Sequence, residues 1–280
     1  SQTVTTLAGQ STSGSANGVG TSSQFSNPKG AAISPDNSYA LVCDHNNHLI
    51  RKIVLSTQTV TTFAGQTTSG ATNGVGTSAK FNNPTVIDIS PDSSYALIGD
   101  FGNHQIRKII ISTATVTTFA GSTSGSTNGI GTNAKFYNPL GVAISSDGIF
   151  AIVADSSNAQ VRKIVIATST VSLLAGSTAV TPGTNGIGSN AQFYSPYGVA
   201  ISSDGSYCLV VDYTNHQVRK IIIATLQVTL FAGGTTSGNV NGIGTSTKFN
   251  QPYGIALSSD NSYALVADFS NNQIKKIILA

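Results

Sequence analysis

Glutamate, methionine and tryptophan are all absent from this 280-residue sequence, and cysteine occurs only twice. Charged residues make up 9% of the chain, whereas an average soluble domain carries roughly 25%. The net charge of +3 is too small to predict a nucleic-acid partner. No apolar run approaches the ~18 residues of a membrane span, so we predict no membrane insertion. Because methionine is missing, we expect a processed or excised chain.

Self-similarity with a period of about 56 residues runs through the whole sequence. An Ala-Gly pair recurs at intervals of 56, 56, 55 and 57 residues, with its glycine at Gly9, Gly65, Gly121, Gly176 and Gly233. An Asn-Gly-x-Gly segment begins at Asn17, Asn73, Asn128, Asn185 and Asn241. A phenylalanine with a proline three residues later recurs at Phe25, Phe81, Phe136, Phe193 and Phe249. Five copies of one supersecondary unit are therefore predicted.

Each unit contains four short apolar strand signals separated by turn residues. In the third unit the signals cover Gly141–Ser145, Phe150–Asp155, Gln160–Ile166 and Thr170–Ala175. No segment sustains the apolar period of 3.6 residues that a helix requires, so we expect helix to be nearly absent.

Four-stranded units of this length, repeated in series, are typical of a β-propeller. We therefore predict an all-β fold, a β-propeller of five four-stranded antiparallel blades in a single domain over residues 1–280. The predicted repeat units are 9–64, 65–120, 121–175, 176–232 and 233–280 together with 1–8. Thr3–Ala8 has a fourth-strand sequence, whereas Gln273–Leu279 has a third-strand sequence. We expect these two segments to pair, so that the N-terminal strand completes the last blade and closes the ring.

The segment Asn47-His48-Leu49, followed by Ile-Arg-Lys-Ile, resembles the NHL (Asn-His-Leu) repeat. Similar segments begin at Asn103 and Asn215, and the upstream Phe-x-x-Pro-x-Gly-Val-Ala and Val-Ala-Asp patterns extend the resemblance over the whole chain. The resemblance implies a β-propeller, commonly one of six blades, whereas this sequence has five units. Some NHL proteins bind RNA, and lactonase-like or lyase-like propellers of related shape place unlike carboxylates, histidines or a metal at a central channel.

The acidic residues follow the repeat instead of forming one singular site. Five aspartates lie in the turn after the first strand, at Asp36, Asp92, Asp147, Asp204 and Asp260, and five end the second strand, at Asp44, Asp100, Asp155, Asp212 and Asp268. Ten of the fourteen basic residues form doublets in the third strand. We expect the turn aspartates to cap their own turns and the strand-end aspartates to pair with the doublets. The sequence predicts no catalytic residue, no metal site and no cofactor.

Three residues depart from the repeat in ways that deserve separate interpretation. Cys43 and Cys208 occupy two different positions at which sister units carry alanine, and we expect two buried free thiols. Asp88 replaces alanine in the first strand of the second unit. It is interpreted either as a water-satisfied channel residue or as a single ligand-binding carboxylate.

Two positions vary among units whose framework is nearly uniform. The residue after the proline is Lys29, Thr85, Leu140, Tyr197 or Tyr253. The residue after the strand-end aspartate is His45, Phe101, Ser156, Tyr213 or Phe269. Aromatic side chains on loops are candidate binding anchors, and neutral drift on solvent-facing turns is the alternative.

Low charge and the lack of a singular site favour a non-enzymatic structural or adhesive scaffold, extracellular or at the cell surface. Such a scaffold would contact a protein partner or associate with itself, and self-association into a polymeric surface assembly would form filaments. A lectin-like carbohydrate binder is one alternative, and an enzyme with a lyase-like or lactonase-like site in the channel is another. RNA binding ranks last, because the basic doublets are expected to be paired.

Overall fold

The computed structural model describes residues 3–179 and 183–279. The fold is the predicted all-β β-propeller of five blades, each an antiparallel sheet, and the described residues contain no α-helix. Contacts between Cα atoms divide the chain into two compact units, Ser1–Phe119 and Ala120–Ala280. The prediction of one domain over residues 1–280 stays a prediction.

The first unit holds sheets 1 and 2. Sheet 1 has the strand order β1-β5-β4-β3-β2 and sheet 2 the order β6-β10-β9-β8-β7. The strands are β1 (Gly18–Val19), β2 (Pro28–Ile33), β3 (Tyr39–Asp44), β4 (Leu49–Val54), β5 (Thr59–Gly65), β6 (Gly74–Val75), β7 (Pro84–Ile89), β8 (Tyr95–Asp100), β9 (Gln105–Ile110) and β10 (Thr115–Ala120).

The second unit holds sheets 3, 4 and 5. Their strand orders are β11-β15-β14-β13-β12, β16-β20-β19-β18-β17 and β21-β22-β23. The strands are β11 (Gly129–Ile130), β12 (Pro139–Ile144), β13 (Phe150–Asp155), β14 (Gln160–Val165), β15 (Thr170–Gly176), β16 (Gly186–Ile187), β17 (Pro196–Ile201), β18 (Tyr207–Asp212), β19 (Gln217–Ile222), β20 (Gln227–Gly233), β21 (Pro252–Leu257), β22 (Tyr263–Asp268) and β23 (Gln273–Ile278).

Short 3-10 helices of three residues connect the strands in the described part of the chain. They are Gly20–Ser22, His45–Asn47, Gly76–Ser78, Phe101–Asn103, Gly131–Asn133, Ser156–Asn158, Gly188–Asn190, Gly244–Ser246 and Phe269–Asn271. The residue after several of them is left-handed, as at His48 with a φ of 57° and His104 with a φ of 58°. A left-handed residue reverses the chain into the third strand of the blade, which is why the Asn-His segment lies there.

In the third unit the four predicted strands are confirmed, and their ends agree to within two residues. The predicted count of four strands per blade was wrong. In sheets 1 to 4 the Asn-Gly-x-Gly segment adds a two-residue fifth strand; for example, Gly18 lies opposite Val60 in β5. Sheet 5 has three strands in the described residues. The short strand escaped prediction because two residues carry no alternating pattern.

The predicted pairing of Thr3–Ala8 with the last blade is not formed in this structure. Residues 3–8 form no strand, and the Val4 side chain is 96% exposed. The chain is anchored at Ala8 and Gly9, where Ala8 packs against the cluster of Val42, Ile53 and Val60 and the Gly9 amide donates to the carbonyl of Gly20. The segment before this anchor therefore extends from sheet 1 without a partner strand.

Within each unit the sheets stack face to face through their first long strands. A Cβ atom at Gly30 of β2 would lie 2.7 Å from the Thr85 carbonyl oxygen of β7, and one at Gly198 of β17 would lie 2.8 Å from the Tyr253 carbonyl oxygen of β21. Glycine at these points lets neighbouring backbones approach closely. Larger apolar residues such as Ile87 and Val199 fill the space beside them and form the core.

Candidate functional site

The two variable positions of a blade meet at one end of its sheet. In sheet 4 the antiparallel register places Pro196, at the start of β17, opposite Asp212, at the end of β18. The residues that follow them, Tyr197 and Tyr213, therefore emerge at the same edge. Sheet 5 repeats this arrangement, with Pro252 opposite Asp268.

Four aromatic side chains of sheets 4 and 5 form one contiguous group, which we call the aromatic cluster: Tyr197, Tyr213, Tyr253 and Phe269. The rings of Tyr197 and Tyr213 stack with centroids 4.4 Å apart and an interplanar angle of 17°. Tyr253 meets the Tyr197 ring edge-on at 5.1 Å. Phe269 extends the group, 5.9 Å from Tyr253. Such geometries add attraction beyond simple burial of area.

The aromatic cluster is an apolar surface that is only partly covered. Phe269 is 60% exposed, and the three tyrosines are half-buried. Burial raises the pKa of Tyr253, and the neighbouring Tyr197 and Tyr213 raise it further. Burial also raises the pKa of Tyr197, with Tyr213 adding to the effect. The hydroxyls of Tyr197 and Tyr253 thus stay neutral at physiological pH, and the surface offers flat rings with hydroxyl groups to a ligand.

A second group of the predicted residues lies in the first unit. Nδ1 of His45 is 3.1 Å from the carbonyl oxygen of Pro84, and the His45 ring meets Phe101 at 6.5 Å. Thr85 donates its hydroxyl to the Gly99 carbonyl at 3.3 Å. Burial lowers the pKa of His45, and the positive charge of Lys29 lowers it further. The His45 ring is therefore neutral at pH 7, and the group carries one exposed charge, Lys29.

The other two predicted residues lie within strands. Leu140 is a half-buried residue of β12, and its neighbour Gly141 packs against the carbonyl of Tyr197. Asp88 lies half-buried in β7, where its carboxylate accepts the amide of Ile89 at 3.0 Å. Asp88 is therefore held by its own strand, and its role as a ligand-binding carboxylate stays a prediction.

The strand-end aspartates are paired with the doublets, as predicted. Buried arginine–aspartate pairs join Arg51 to Asp44, Arg107 to Asp100, Arg162 to Asp155 and Arg219 to Asp212 at 2.8, 2.9, 3.0 and 3.7 Å. In sheet 5, Lys275 takes the place of arginine, 3.2 Å from Asp268. Burial raises the pKa of Asp100 and Asp155 to about 6, and the surrounding donors oppose that rise. Each of these aspartates joins the second and third long strands of its own blade.

Other repeated residues complete the same network, a role that the sequence did not reveal. In sheets 1 to 4 the asparagine of the Asn-Gly-x-Gly segment accepts from arginine, as Asn17 does from Nη2 of Arg51 at 2.9 Å. The repeated phenylalanine lies beneath the guanidinium, with Phe25 5.1 Å from Arg51. Asn47 of the Asn-His-Leu segment donates to Asp44. The sequence signal for this network is that arginine, aspartate, asparagine and phenylalanine recur together in four units.

The second residue of each basic doublet covers an aromatic ring. Lys52 lies over Tyr39 at 4.3 Å, and Lys276 lies over Tyr263 at 4.1 Å. The same contact joins Lys108 to Tyr95, Lys163 to Phe150 and Lys220 to Tyr207. All ten doublet residues are therefore engaged with neighbouring side chains.

The turn aspartates cap their turns, as predicted. Ser90 donates its hydroxyl to Asp92 at 2.6 Å, and the amide of Ser94 donates to the same oxygen at 3.0 Å. Hydrogen bonds of this kind, the hydroxyl first, lower the pKa of Asp92, Asp204 and Asp260 to about 2.

The histidine of the Asn-His segment accepts a hydrogen bond from a backbone amide. Nδ1 of His48 accepts the amide of Asn83 at 3.0 Å, and Nδ1 of His216 accepts the amide of Gln251 at the same distance. Within residues 3–179 and 183–279, no group of three or more histidine, cysteine, aspartate or glutamate side chains is arranged to hold a metal ion. Cys43 and Cys208 are buried free thiols, as expected. Among the described residues, none forms a helix long and apolar enough to span a membrane.

Comparisons with known proteins find similarity to longer proteins. The human NHL repeat-containing protein 2 is 28% identical over 94% of this chain and 40% of its own length. Protein SUPPRESSOR OF QUENCHING 1, chloroplastic, of Arabidopsis thaliana is 28% identical over 91% of the chain and 25% of its own length. The chain thus spans less than half the length of these relatives. No family model matches the sequence.

Among solved structures, a chain of the nidogen/laminin complex has the same kind of fold. It superposes with a TM-score of 0.66, covering 91% of this chain and 76% of that one at 12% identity. At this level of identity the likeness concerns the fold alone.

Proposed function

We propose that the chain is an NHL-repeat β-propeller that acts as a non-enzymatic binding scaffold and contacts a protein partner through its aromatic cluster. The observation that carries the proposal is the contact among Tyr197, Tyr213, Tyr253 and Phe269. The framework around these residues is repeated in every blade, whereas these four are not. Binding hot spots in protein interfaces are enriched in tyrosine.

The charged residues support a binding role over catalysis. Acid–base chemistry needs two groups in unlike environments, but the strand-end aspartates repeat one paired environment and the turn aspartates another. The NHL arginine and lysine doublets are engaged within their blades, which also argues against RNA as the ligand.

An extracellular structural or adhesive setting is part of the proposal. A surface rich in serine, threonine, asparagine and glycine, with 9% charged residues, offers little electrostatic repulsion to a neighbouring molecule. The whole relatives are longer than this chain, so their partners do not transfer to it directly.

The test is a peptide-display selection on the immobilised protein, followed by affinity measurements on variants that copy the chain's own third repeat. Sheet 3 carries Ser156 at the position of Tyr213 and Phe269, so the double variant Tyr213→Ser/Phe269→Ser uses a residue that the fold already accepts. The matched control is Tyr194→Asn, a change at an exposed tyrosine outside the aromatic cluster whose counterpart in sheet 5 is Asn250.

Selected peptides are expected to lose affinity for the double variant by about tenfold or more, a loss of about 1.4 kcal/mol, and to bind the control normally. Peptides that bind the double variant as tightly as the unmodified chain would overturn the proposal. A glycan array on the same proteins tests the carbohydrate alternative. Oligosaccharide binding that the double variant loses, without peptide binding, would favour a lectin-like role.

A further inference from the structure

Four of the fourteen basic residues stand outside the third-strand doublets, and all four come from one part of the repeat. They are Lys29, Lys80, Lys135 and Lys248, each at or shortly before the first long strand of its blade. Lys135 and Lys248 belong to the second unit, which also holds the aromatic cluster. The charges of these two lysines therefore bear on what the cluster can bind.

Lys248 lies at the end of sheet 5 that carries the aromatic cluster. Its carbonyl oxygen accepts from Nζ of Lys275 at 2.7 Å, and the same nitrogen lies 3.2 Å from Asp268, the last residue of β22. Phe269 of the aromatic cluster follows Asp268 directly in the chain. A Cβ atom at Gly238 would lie 2.8 Å from Cδ of Lys248, so the stem of this lysine packs against the preceding loop.

Lys135 occupies the same place in sheet 3, which packs against sheet 4 through β12 and β17. Its carbonyl oxygen accepts from Nη1 of Arg162 at 3.2 Å, and that guanidinium pairs with Asp155 at the end of β13. A Cβ atom at Gly125 would lie 2.9 Å from Cδ of Lys135. Sheet 4 carries the uncharged Gln192 at this position. The aromatic cluster of sheets 4 and 5 therefore has one lysine on the adjoining sheet 3 and a second on sheet 5.

Among the described residues of the second unit, no exposed carboxylate offsets these lysines at the cluster end of the sheets. Every acidic side chain of this unit is an aspartate. The strand-end aspartates are fully buried and paired within their blades. The turn aspartates, Asp147, Asp204 and Asp260, lie at the opposite end of the sheets. The end that carries the aromatic cluster is therefore positively charged.

The packing of the rings favours an apolar side chain over a stacked base. Tyr197 and Tyr213 cover one face of each other at 4.4 Å, and Tyr253 meets Tyr197 edge-on. A nucleic-acid base needs an open aromatic face on which to stack. Phe269, which is 60% exposed, presents apolar surface beside the tyrosines. An apolar anchor with negative charges around it matches both the rings and the two lysines.

We propose that the aromatic cluster takes an acidic peptide segment, in which an apolar side chain contacts the four rings and flanking carboxylates face Lys135 and Lys248. This inference rests on the proposed function and specifies the chemistry of the partner. Complementary charges steer the encounter of two partners and fix their register. Salt screens such charges over about 10 Å at 0.1 M ionic strength, so the affinity should fall as salt is added.

The probes are the display-selected peptides that lose affinity for the double serine variant of the aromatic cluster. Compared with the unselected library, these peptides are expected to be enriched in aspartate and glutamate. Their affinity should fall about fivefold or more on the variant Lys135→Gln/Lys248→Gln, because two ion pairs are lost. Glutamine copies Gln192 of sheet 4, so the fold already accepts it at this position. The salt dependence of binding should be weaker for this variant than for the unmodified chain.

The control variant Lys163→Gln/Lys220→Gln removes the same number of positive charges from a different place in the second unit. These lysines cover the rings of Phe150 and Tyr207 at the start of the second long strands, away from the aromatic cluster. Peptide affinity for the control should equal that for the unmodified chain. An equal loss of affinity on both double variants would show that only the total charge matters and would overturn the proposal.

The remaining outcomes separate this inference from the proposed function. Cluster-dependent peptides that lack acidic enrichment, or that bind Lys135→Gln/Lys248→Gln as tightly as the unmodified chain, would overturn the acidic partner and leave the binding scaffold standing. A selection that yields no cluster-dependent peptide would overturn both. A heparin oligosaccharide and single-stranded polyuridine are tested on the same variants. Binding of either one that the lysine variant loses, with no acidic peptides selected, would assign the surface to an anionic carbohydrate or RNA and overturn the peptide.

Discussion

Nη1 of Arg51 lies 2.8 Å from Oδ2 of Asp44, and neither side chain is exposed to solvent. The same guanidinium donates to the carbonyls of Ala16 and Gln24 and to Asn17. Arg51 therefore links the loop that contains Ala16, Asn17 and Gln24 to Asp44 at the end of β3. The pair recurs in the other blades, with lysine in the last one.

Asp44→Asn is expected to destabilise the fold by about 3–5 kcal/mol, because it leaves a buried arginine without its counter-charge. Denaturant titration measures this loss. The exposed turn variant Asp36→Asn serves as the control and should change stability far less. Equal effects of the two changes would show that burial of the pair is irrelevant.

Lys275→Arg is expected to stabilise the last blade. Lysine at this position reaches Asp268 and the carbonyl of Lys248, whereas arginine would add a donor toward Asn241, as in the other four blades. One added hydrogen bond contributes about 0.5–1.5 kcal/mol, detectable in denaturant titration. Lys276→Arg, outside the network, is the control, and a gain no larger than the control's would contradict this role for arginine.

The lowered pKa of the turn aspartates predicts that the fold loses stability in acid. The pKa of Asp92, Asp204 and Asp260 is lowered from 3.8 to about 2 in the folded chain. A lowered folded-state pKa stabilises the fold above the unfolded value, and this contribution is lost as the pH falls from about 4 to about 2. The triple variant with asparagine at these positions should show a shallower decline of melting temperature over that interval. An unchanged decline would argue against the capping role.

The thiols of Cys43 and Cys208 are expected to resist modification in the folded chain. Both are fully buried, and burial raises the pKa of Cys208 to about 12. A thiol reagent such as Ellman's should react with neither in the native state and with both in concentrated guanidinium. Rapid native reaction of either one would place it at the surface.

Much of the architecture could be predicted from the sequence because the same residue pattern recurs in each blade. The signals of the third unit predicted β13 (Phe150–Asp155) without error at either end, since Ser-Asp-Gly and the 3-10 segment bound it sharply. Pairing of Asp155 with Arg162 followed from the need of buried charges for partners. Repetition made both inferences robust.

Contacts between distant segments were not readable in the same way. The stacking of Tyr197 on Tyr213 depends on how β17 and β18 align, and nothing in either local sequence states that the rings meet. The placement of Thr3–Ala8 was predicted from its strand sequence alone. A strand sequence specifies what a segment can pair with, but pairing also depends on chain entropy and on where its anchor at Gly9 holds it.

Fluorine NMR of the chain labelled with 3-fluorotyrosine, titrated with a selected peptide ligand, tests the proposed binding surface most directly. The account predicts shifts at Tyr197, Tyr213 and Tyr253, with Tyr39 and Tyr95, which lie beneath lysines in the first unit, unchanged. Saturable peptide binding that leaves the three cluster resonances in place, or that moves Tyr39 and Tyr95 instead, would contradict it.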